Sequence, residues 1–295
     1  MDTLANLKAF LSVARTGSFT AAARELHLSP SVITKRIGQV EWRLKGALFE
    51  RTTRHVSLTA LGQRYLPHAR RLLSDFDNLF GDAIESANSL QGSVRVKIPS
   101  TVASVMIAPL LHSFSQSHPL IQLEVIALDR AVNPLDEGFD IALTLMPHSY
   151  GSVIDIPLCE MPRYLCASPE YLSRKGLPTQ PIDLTEHNIL NFLPMGNTWK
   201  FTSTTGPIEI AIQPRLNTNE AHLLLSAALA NSGIAILGNY LAAPALQAGS
   251  LVKVLEAYSI DHLWLKALVP ENRIEIPRVH ALLDWLKYEL TSLTT

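Results

Sequence analysis

The stretch from Gly17 to Ile37 reads GSFTAAARELHLSPSVITKRI, and it decides how the first part of the chain folds. Ser18 can cap a short helix running to Leu26, whose inward face would be Ala22, Ala23 and Leu26, small residues that let a neighbouring helix approach closely. His27 and Leu28 make a tight turn. Ser29-Pro30 then opens another helix: the serine caps it, and proline at the first helical position sacrifices no hydrogen bond because that amide would lack a partner anyway. Ile33, Ile37, Val40 and Leu44 fall on one face of this helix, leaving Ser31, Thr34, Lys35 and Gly38 on another. A helix, a turn and a second helix with small polar and basic side chains near its exposed start suit the major groove of B-DNA. Ser31 and Thr34 can hydrogen-bond base edges or phosphates, and Lys35 supplies charge. The competing interpretation is an ordinary helical hairpin with a solvated charged face.

Upstream, Leu4, Leu7, Phe10, Leu11 and Ala14 recur at helical spacing, and Gly17 supplies a stop. Downstream, residues 48–58 (LFERTTRHVSL) read as two short strands around a polar, basic tip, a wing whose Arg51 and Arg54 can touch phosphate or a narrowed minor groove, or else decorate a solvated hairpin. Thr59 caps a long helical pattern. Tyr65, Ala69, Leu72, Phe76, Leu79 and Ala83 form one apolar stripe, and Leu66, Leu73, Phe80 and Ala87 a second recurring every seven residues, so two partners are expected: the parent domain and the same helix of a second subunit. Pro67 should bend this helix. Residues 86–93 (SANSLQGS) have the composition of a hinge.

Charge separates the two sides of that hinge. Met1 to Arg71 carries 12 Lys and Arg against 4 acidic residues, a charge of +8 inside a chain whose net charge is -1, so the remainder is acidic. Only the first part suits a polyanion. At 295 residues the chain has room for about two domains, each with its own core.

Beyond the hinge, strand-like runs (94–98, 121–127, 140–145) alternate with helix-like ones such as 102–116, the signature of βαβ units and a parallel-rich sheet. A second series follows, with strands at 164–167, 189–192 and 234–237, a hairpin over 201–212 and a helix over 219–230, before a last strand at 264–269 and helix at 279–290. The domain is therefore expected to be bilobed. Ser100-Thr101 sits between a strand and a helix, where hydroxyls and open amides at a helix start can accept carboxylate or phosphate, or simply cap the helix. With Arg130 and Asn133 this hints at an anionic or hydroxylated organic ligand.

Catalytic chemistry has no starting point: there is no phosphate loop, GxGxxG, HExxH or GxSxG motif. The only cysteines, Cys159 and Cys166, form no zinc-type doublets, and Cys166 between Leu165 and Ala167 reads as a small buried hydrophobe rather than a redox sensor. His112 and His118 lack neighbours to complete a metal set. The first residues, MDTLANLKAF, do not resemble a signal peptide, and no long uninterrupted apolar stretch occurs, so a cytoplasmic protein with no membrane partner, metal or cofactor is expected. Two rivals stay open: an enzyme fused to a DNA-binding head, and an architectural DNA binder that needs no ligand.

The sequence resembles the LysR-type transcriptional regulators. The resemblance is carried by Phe10, Ala14, Gly17-Ser18-Phe19, Ala21-Ala22-Ala23, Leu26, Ser29-Pro30-Ser31, Ile37, Glu41, Leu44, Leu48-Phe49, Arg51, Leu58-Thr59 and Gly62. It continues through residues 135–143 (LDEGFDIAL) and 164–172 (YLCASPEYL), and so spans essentially the whole chain. It implies an α/β protein with a winged helix-turn-helix over 1–58, a linker and dimerisation helix with hinge over 59–90, and an effector-binding domain over 91–295 resembling periplasmic binding proteins. Lobe I would take about 91–162 and 268–295, and lobe II about 163–267. The DNA-contacting candidates are Ser18, Thr20, Ser29, Pro30, Ser31, Thr34, Lys35, Arg36, Arg51 and Arg54. Positions similar to the family's cleft give Ser100, Thr101, Arg130, Met195, Asn197, Thr218, Asn219 and Leu237 as effector-binding candidates. The implied partners are a double-stranded DNA operator, a small organic effector, further copies in a homodimer or homotetramer, and RNA polymerase. One departure stands out: the family's stretch resembling Gly-Ile-x-x-Leu-Pro reads here Gly233 to Gly238 (GIAILG), with glycine where proline is usual.

Overall fold

The computed structural model describes residues 2–51, 56–84, 90–204 and 206–294. The chain divides into two compact units, Met1–Ser89 with Asn133–Gly138, and Leu90–Val132 with Phe139–Thr295. The first contains α1 (Thr3–Thr16), α2 (Phe19–Glu25), α3 (Pro30–Leu44), the antiparallel pair β1 (Phe49–Arg51) and β2 (Val56–Leu58), and α4 (Ala60–Ile84). Helix starts are fixed by side-chain caps: Asp2, Ser18 and Ser29 accept from the amides of Ala5, Ala21 and Val32 at 3.0, 3.2 and 3.4 Å. Gly17 ends α1 at φ 63°, a backbone conformation that costs glycine little.

The apolar faces of these helices converge. Phe10, Val13, Ala22, Ala23, Ile33, Ile37 and Leu48 are buried in one cluster, and the ring of Phe49 meets Phe10 and Phe19 edge-on at 5.6 and 5.8 Å. Burial of each larger side chain contributes about 1.5–3 kcal/mol. Polar ties set the register: Asn6 donates to Gln39 at 2.8 Å, Glu41 accepts the Leu48 amide at 2.8 Å, and Thr59 both donates to the Ala47 carbonyl and accepts from the Gly62 amide. A Cβ at Gly62 would lie 2.2 Å from the Leu48 carbonyl oxygen, so α4 passes the strand start closely only because this residue is glycine. Pro67 lies within α4 without ending it. Ala69 and Leu73 are buried whereas Leu72 is half exposed. Ala87 and hinge positions 86–89 lie outside the described residues.

The larger unit begins with β3 (Gly92–Ile98), so Gly92 and Ser93, read as hinge, already belong to a sheet; they pair with Ile121 and Gln122. A helical stretch follows in three parts, α5 (Ser100–Val102), a π-helical segment Ala103–Ile107 and α6 (Ala108–Ser117), leading to β4 (Ile121–Ala127). After α7 (Pro134–Glu137), which falls in the first unit's segment Asn133–Gly138, come β5 (Ile141–Thr144) and β6 (Val153–Met161). The chain crosses into a second sheet with β7 (Arg163–Ala167), α8 (Pro169–Lys175), β8 (Ile189–Phe192), the hairpin β9 (Thr198–Ser203) and β10 (Gly206–Ala211), β11 (Pro214–Thr218), α9 (Ala221–Leu229), β12 (Ile234–Gly238), α10 (Asn239–Gln247) and β13 (Val252–Lys253). It returns through β14 (Leu263–Pro270) and ends in α11 (Pro277–Thr294).

Two five-stranded sheets result, ordered β4-β3-β5-β14-β6 and β11-β8-β12-β7-β13. The expected parallel pairs are present between β3 and both β4 and β5, and between β8 and both β11 and β12. The crossing strands run the other way, β14 antiparallel to β5 and β6, and β7 antiparallel to β12 and β13, so both sheets are mixed. Because Leu263 already pairs with Met161, residues 263–267 belong to the first sheet rather than to lobe II as the sequence suggested. Each sheet is covered by its own clusters, one packing α6 and α11 on the first sheet, the others burying Tyr171, Trp199 and Phe201, and Leu224 and Ala228, against the second.

Candidate functional site

The smaller unit offers a helix face. On α3, Ile33 and Ile37 are fully buried while Ser31, Thr34, Lys35 and Gly38 are exposed and Arg36 is half-buried, so the amphipathic division read from the sequence is realised. Ser18 and Ser29 are caps, with Ser18 half-buried and Ser29 exposed, and Thr20 and Pro30 are also exposed. The Ser29 and Ser31 hydroxyls lie 2.9 Å apart, and Thr34 donates to the Pro30 carbonyl at 2.9 Å. These bonds hold the hydroxyls at the start of the helix and leave oxygen lone pairs facing outward. Across the turn Glu25 pairs with Arg15 and accepts from Ser12 at 3.1 Å, which turns this acidic side chain toward α1. Arg51 ends β1 opposite Val56, and Arg54 lies outside the described residues.

Within the larger unit a cavity of about 660 Å³ opens between the two sheets. One wall comes from the ends of the first sheet, with Pro99, Thr101, Asp129, Leu145 and Met146; the other comes from Leu190, Phe192, Trp199, Leu224 and Leu237. Most of this lining is apolar, the usual character of a small-molecule site. Of the effector candidates, Thr101, Met195 and Leu237 line it. The others do not: Arg130 is exposed and donates to the Ala131 carbonyl at 3.4 Å, Asn197 is exposed and accepts from Asn191 at 3.2 Å, and Thr218 accepts the Glu220 amide at 3.1 Å. Asn219 is exposed, and Ser100 presents its amide to Asp129 at 2.8 Å. In the loop over 128–130 the lining residue is thus Asp129, the immediate neighbour of the arginine that was singled out.

The polar groups that sequence reading missed form a network. Thr101 donates to Glu220 at 3.2 Å, joining the two lobes, while Glu220 caps α9 by accepting the amides of His222 and Leu223 at 3.1 and 2.8 Å. Burial would lift the Glu220 pKa, but these hydrogen bonds outweigh it and hold the carboxyl below the ordinary glutamate value. Burial, reinforced by Asp129 and Glu220, pushes the Tyr240 hydroxyl up to about 12, so it stays protonated as a donor. Gly238 explains the departure from the family's proline. A Cβ there would lie 2.4 Å from the Tyr240 ring, so the glycine lets an edge of that ring come close to the backbone at the cavity wall.

Cations in the lining are already engaged. Arg163 donates twice to the Asp261 carbonyl, at 3.1 and 2.6 Å, Lys200 pairs with Glu209 at 2.8 Å, Lys266 with Asp155 at 2.9 Å, and His262 contacts Glu160 at 2.8 Å. Asn191 is equally committed, donating to Gly196, Asn197 and Asn217 and accepting from Trp199 at 3.1 Å. The anion-receptive helix start expected at Ser100-Thr101 is therefore filled from within by two carboxylates, which removes the argument for an anionic ligand there.

Both thiols are buried, and burial pushes Cys159 up to about 11 and Cys166 up to about 12, which keeps them protonated and unreactive. His112 contacts Gln116 and His118 contacts the Phe114 carbonyl. No metal-ligating cluster occurs among the described residues, and no described helix is long and apolar enough to cross a membrane.

Comparison with known proteins agrees with this organisation. Residues 4–63 match the model of the bacterial regulatory helix-turn-helix protein, lysR family, and residues 87–291 match the LysR substrate binding domain. The HTH-type transcriptional regulator YhjC of Escherichia coli is 33% identical over 292 residues, 97% of each chain. An HTH-type transcriptional repressor of Pseudomonas aeruginosa is 31% identical, covering 97% of this chain and 92% of its own length. Among solved structures, CrgA of Neisseria meningitidis, described as a LysR-type transcriptional regulator, superimposes with a TM-score of 0.63 at 27% identity, over 97% of this chain and 98% of its own.

Proposed function

The chain belongs to the LysR-type transcriptional regulators, DNA-binding proteins rather than enzymes, and from that premise we propose that it binds a specific operator and responds to a small organic effector held between the lobes of its larger unit. The observation that carries the DNA half is the division of α3, with Ile33 and Ile37 buried and Ser31, Thr34 and Lys35 exposed beside a strongly basic sequence. In this reading α3 enters the major groove. Ser31 and Thr34 meet base edges or phosphates, Lys35 and Arg36 neutralise backbone charge, Ser18, Thr20, Ser29 and Pro30 line the approach, and the wing arginines Arg51 and Arg54 hold the flanking strand. Two copies joined through α4, or four as a pair of such dimers, would engage a dyad operator in the bacterial cytoplasm and act on RNA polymerase.

Support for the effector half is the cavity between the sheets, bridged by the Thr101–Glu220 hydrogen bond. A ligand there changes DNA binding only if it has different affinities for two arrangements of the lobes, and a bond joining the lobes is where such a difference can arise.

The test is a salt titration of binding to an operator duplex selected in vitro. Lys35→Ala should weaken binding and reduce the slope of log affinity against log salt by about one, with the circular dichroism spectrum unchanged. An unaltered slope removes Lys35 from the interface. Failure of the intact protein to bind any selected duplex at low ionic strength removes the reading itself.

A further inference from the structure

We propose that a second, smaller pocket, where the chain crosses between the lobes of the larger unit, binds an oxyanion of the phosphate or sulfate type between Arg163 and Lys253. This pocket holds about 190 Å³, less than the ~300–1,000 Å³ usual for a whole organic ligand, so it suits an ion or the anionic end of a larger molecule. Lys253 lines it and not the interlobe cavity, whereas Arg163 lines both.

Local structure brings the two cations to one place. β13 pairs with β7 so that Lys253 lies opposite Cys166, and its ammonium sits over the Tyr164 ring, 3.5 Å from the centroid. The ring attracts the cation without neutralising it as a carboxylate would. Arg163, at the start of β7, spends Nε and Nη2 on one acceptor, the Asp261 carbonyl, and its Nη1 makes no hydrogen bond among the described residues. Neither Arg163 nor Lys253 forms an ion pair with a described carboxylate. Burial lowers the Arg163 pKa and nearby Asp261 offsets this only in part, so an added anion would stabilise the charge further.

Little else in the lining favours a cation. His262 already contacts Glu160, and the Tyr258 hydroxyl, without a hydrogen bond among the described residues, is a neutral donor. Glu256, the one carboxylate in the described lining, is exposed and pairs with neither cation. A compact oxyanion can therefore take charge-assisted hydrogen bonds from two groups that have no carboxylate of their own. The chain enters the second sheet at Arg163 and has left it when β14 starts at Leu263, so the contact between Arg163 and Asp261 ties the two crossings together. An anion on Nη1 engages that tie.

The experiment titrates the full-length protein with inorganic phosphate, sulfate or glycerol 3-phosphate, at an ionic strength held constant with chloride, and reads affinity by calorimetry and the shift in melting temperature. Phosphate and sulfate should bind saturably and raise the melting temperature. Lys253→Gln should weaken them about tenfold to a hundredfold, and Lys253→Arg should restore most of the loss. Glu256→Gln, at an exposed position, should strengthen binding severalfold by removing a repelling charge. Lys175→Gln, exposed on α8 and outside the lining, should change nothing. Glycerol 3-phosphate binding more tightly than phosphate would identify the anion as the end of an organic phosphate, and binding no more tightly would identify the free ion; either result keeps the site. Absence of saturable binding at millimolar concentration would overturn the proposal, as would phosphate affinity indifferent to Lys253→Gln or lowered by Glu256→Gln. Equal losses in Lys175→Gln and Lys253→Gln would overturn it too, by reducing the effect to general surface charge.

Discussion

Gly62 and Gly238 show how a missing side chain can set a position. At Gly62 the neighbour is the Leu48 carbonyl, part of the backbone, which cannot swing away. Gly62→Ala should therefore destabilise the smaller unit by about 1–3 kcal/mol, read as a lower denaturation midpoint with an unchanged slope. At Gly238 the neighbour is the far end of the Tyr240 side chain, which can rotate. Gly238→Ala should cost little stability yet alter ligand affinity, because the ring that walls the cavity must move; equal affinity in both proteins would show that Tyr240 has no part in recognition. The thiols differ in legibility: apolar neighbours marked Cys166 as buried, whereas nothing in the sequence revealed the state of Cys159. Held at about 11 and about 12 by burial, Cys159 and Cys166 should resist alkylation at neutral pH until denaturant exposes them.

Helix α9 is an element whose start carries both structure and chemistry. Glu220 lies below its ordinary pKa in the folded protein, so around that value the unfolded chain binds more protons than the native one. Its contribution to stability is complete above the unfolded value and is lost as pH falls through the folded one. Glu220→Gln should accordingly lower the melting temperature at neutral pH, with the difference shrinking in acid; a difference constant across that range would mean that the charge is irrelevant. Asp140 acts with the reverse sign. Burial outweighs the Arg95 amide and the charges of Arg273, Arg278 and Arg95 and raises its pKa, so its ionisation lowers stability as pH climbs from the ordinary aspartate value to the raised one. At this scale the sequence was most legible where one residue acts on its own neighbours. Caps at Ser18, Ser29 and Thr59 and the apolar spacing of α1 and α3 were readable because they obey rules spanning three or four residues.

For the molecule as a whole, the two compact units have separate hydrophobic clusters, one in the helical head and the others on the two sheets. Calorimetry should reflect that separation. Operator duplex is expected to raise the transition of the head, and a cavity ligand that of the larger unit, by about 2.7 kcal/mol when its concentration is a hundred times Kd. A single transition moved equally by both would contradict the independence of the cores. The first sheet is assembled from residues far apart in sequence, since β14 inserts between β5 and β6 after an excursion of about a hundred residues through the second lobe. Lobe limits drawn from the sequence missed by five residues for this reason: residues 263–267 look alike as a strand of either lobe, and only their pairing with β6 distinguishes them.

Taken alone, the amino-acid order determined the helix-turn-helix, the wing strands, the basic head and the alternation that yields a bilobed α/β domain, because these follow from short-range spacing, capping and the sum of charges. Tertiary structure decided which side chains share the cavity. Thr101 and Glu220 are 119 positions apart, and only the approach of the two sheets brings them into a hydrogen bond at the cavity wall. What already holds a group decides what it can offer: Arg130 was conspicuous as a cation but is exposed and donates to the Ala131 carbonyl, while Asp129 and Glu220 accept from Ser100 and Thr101 at the helix start expected to welcome an anion.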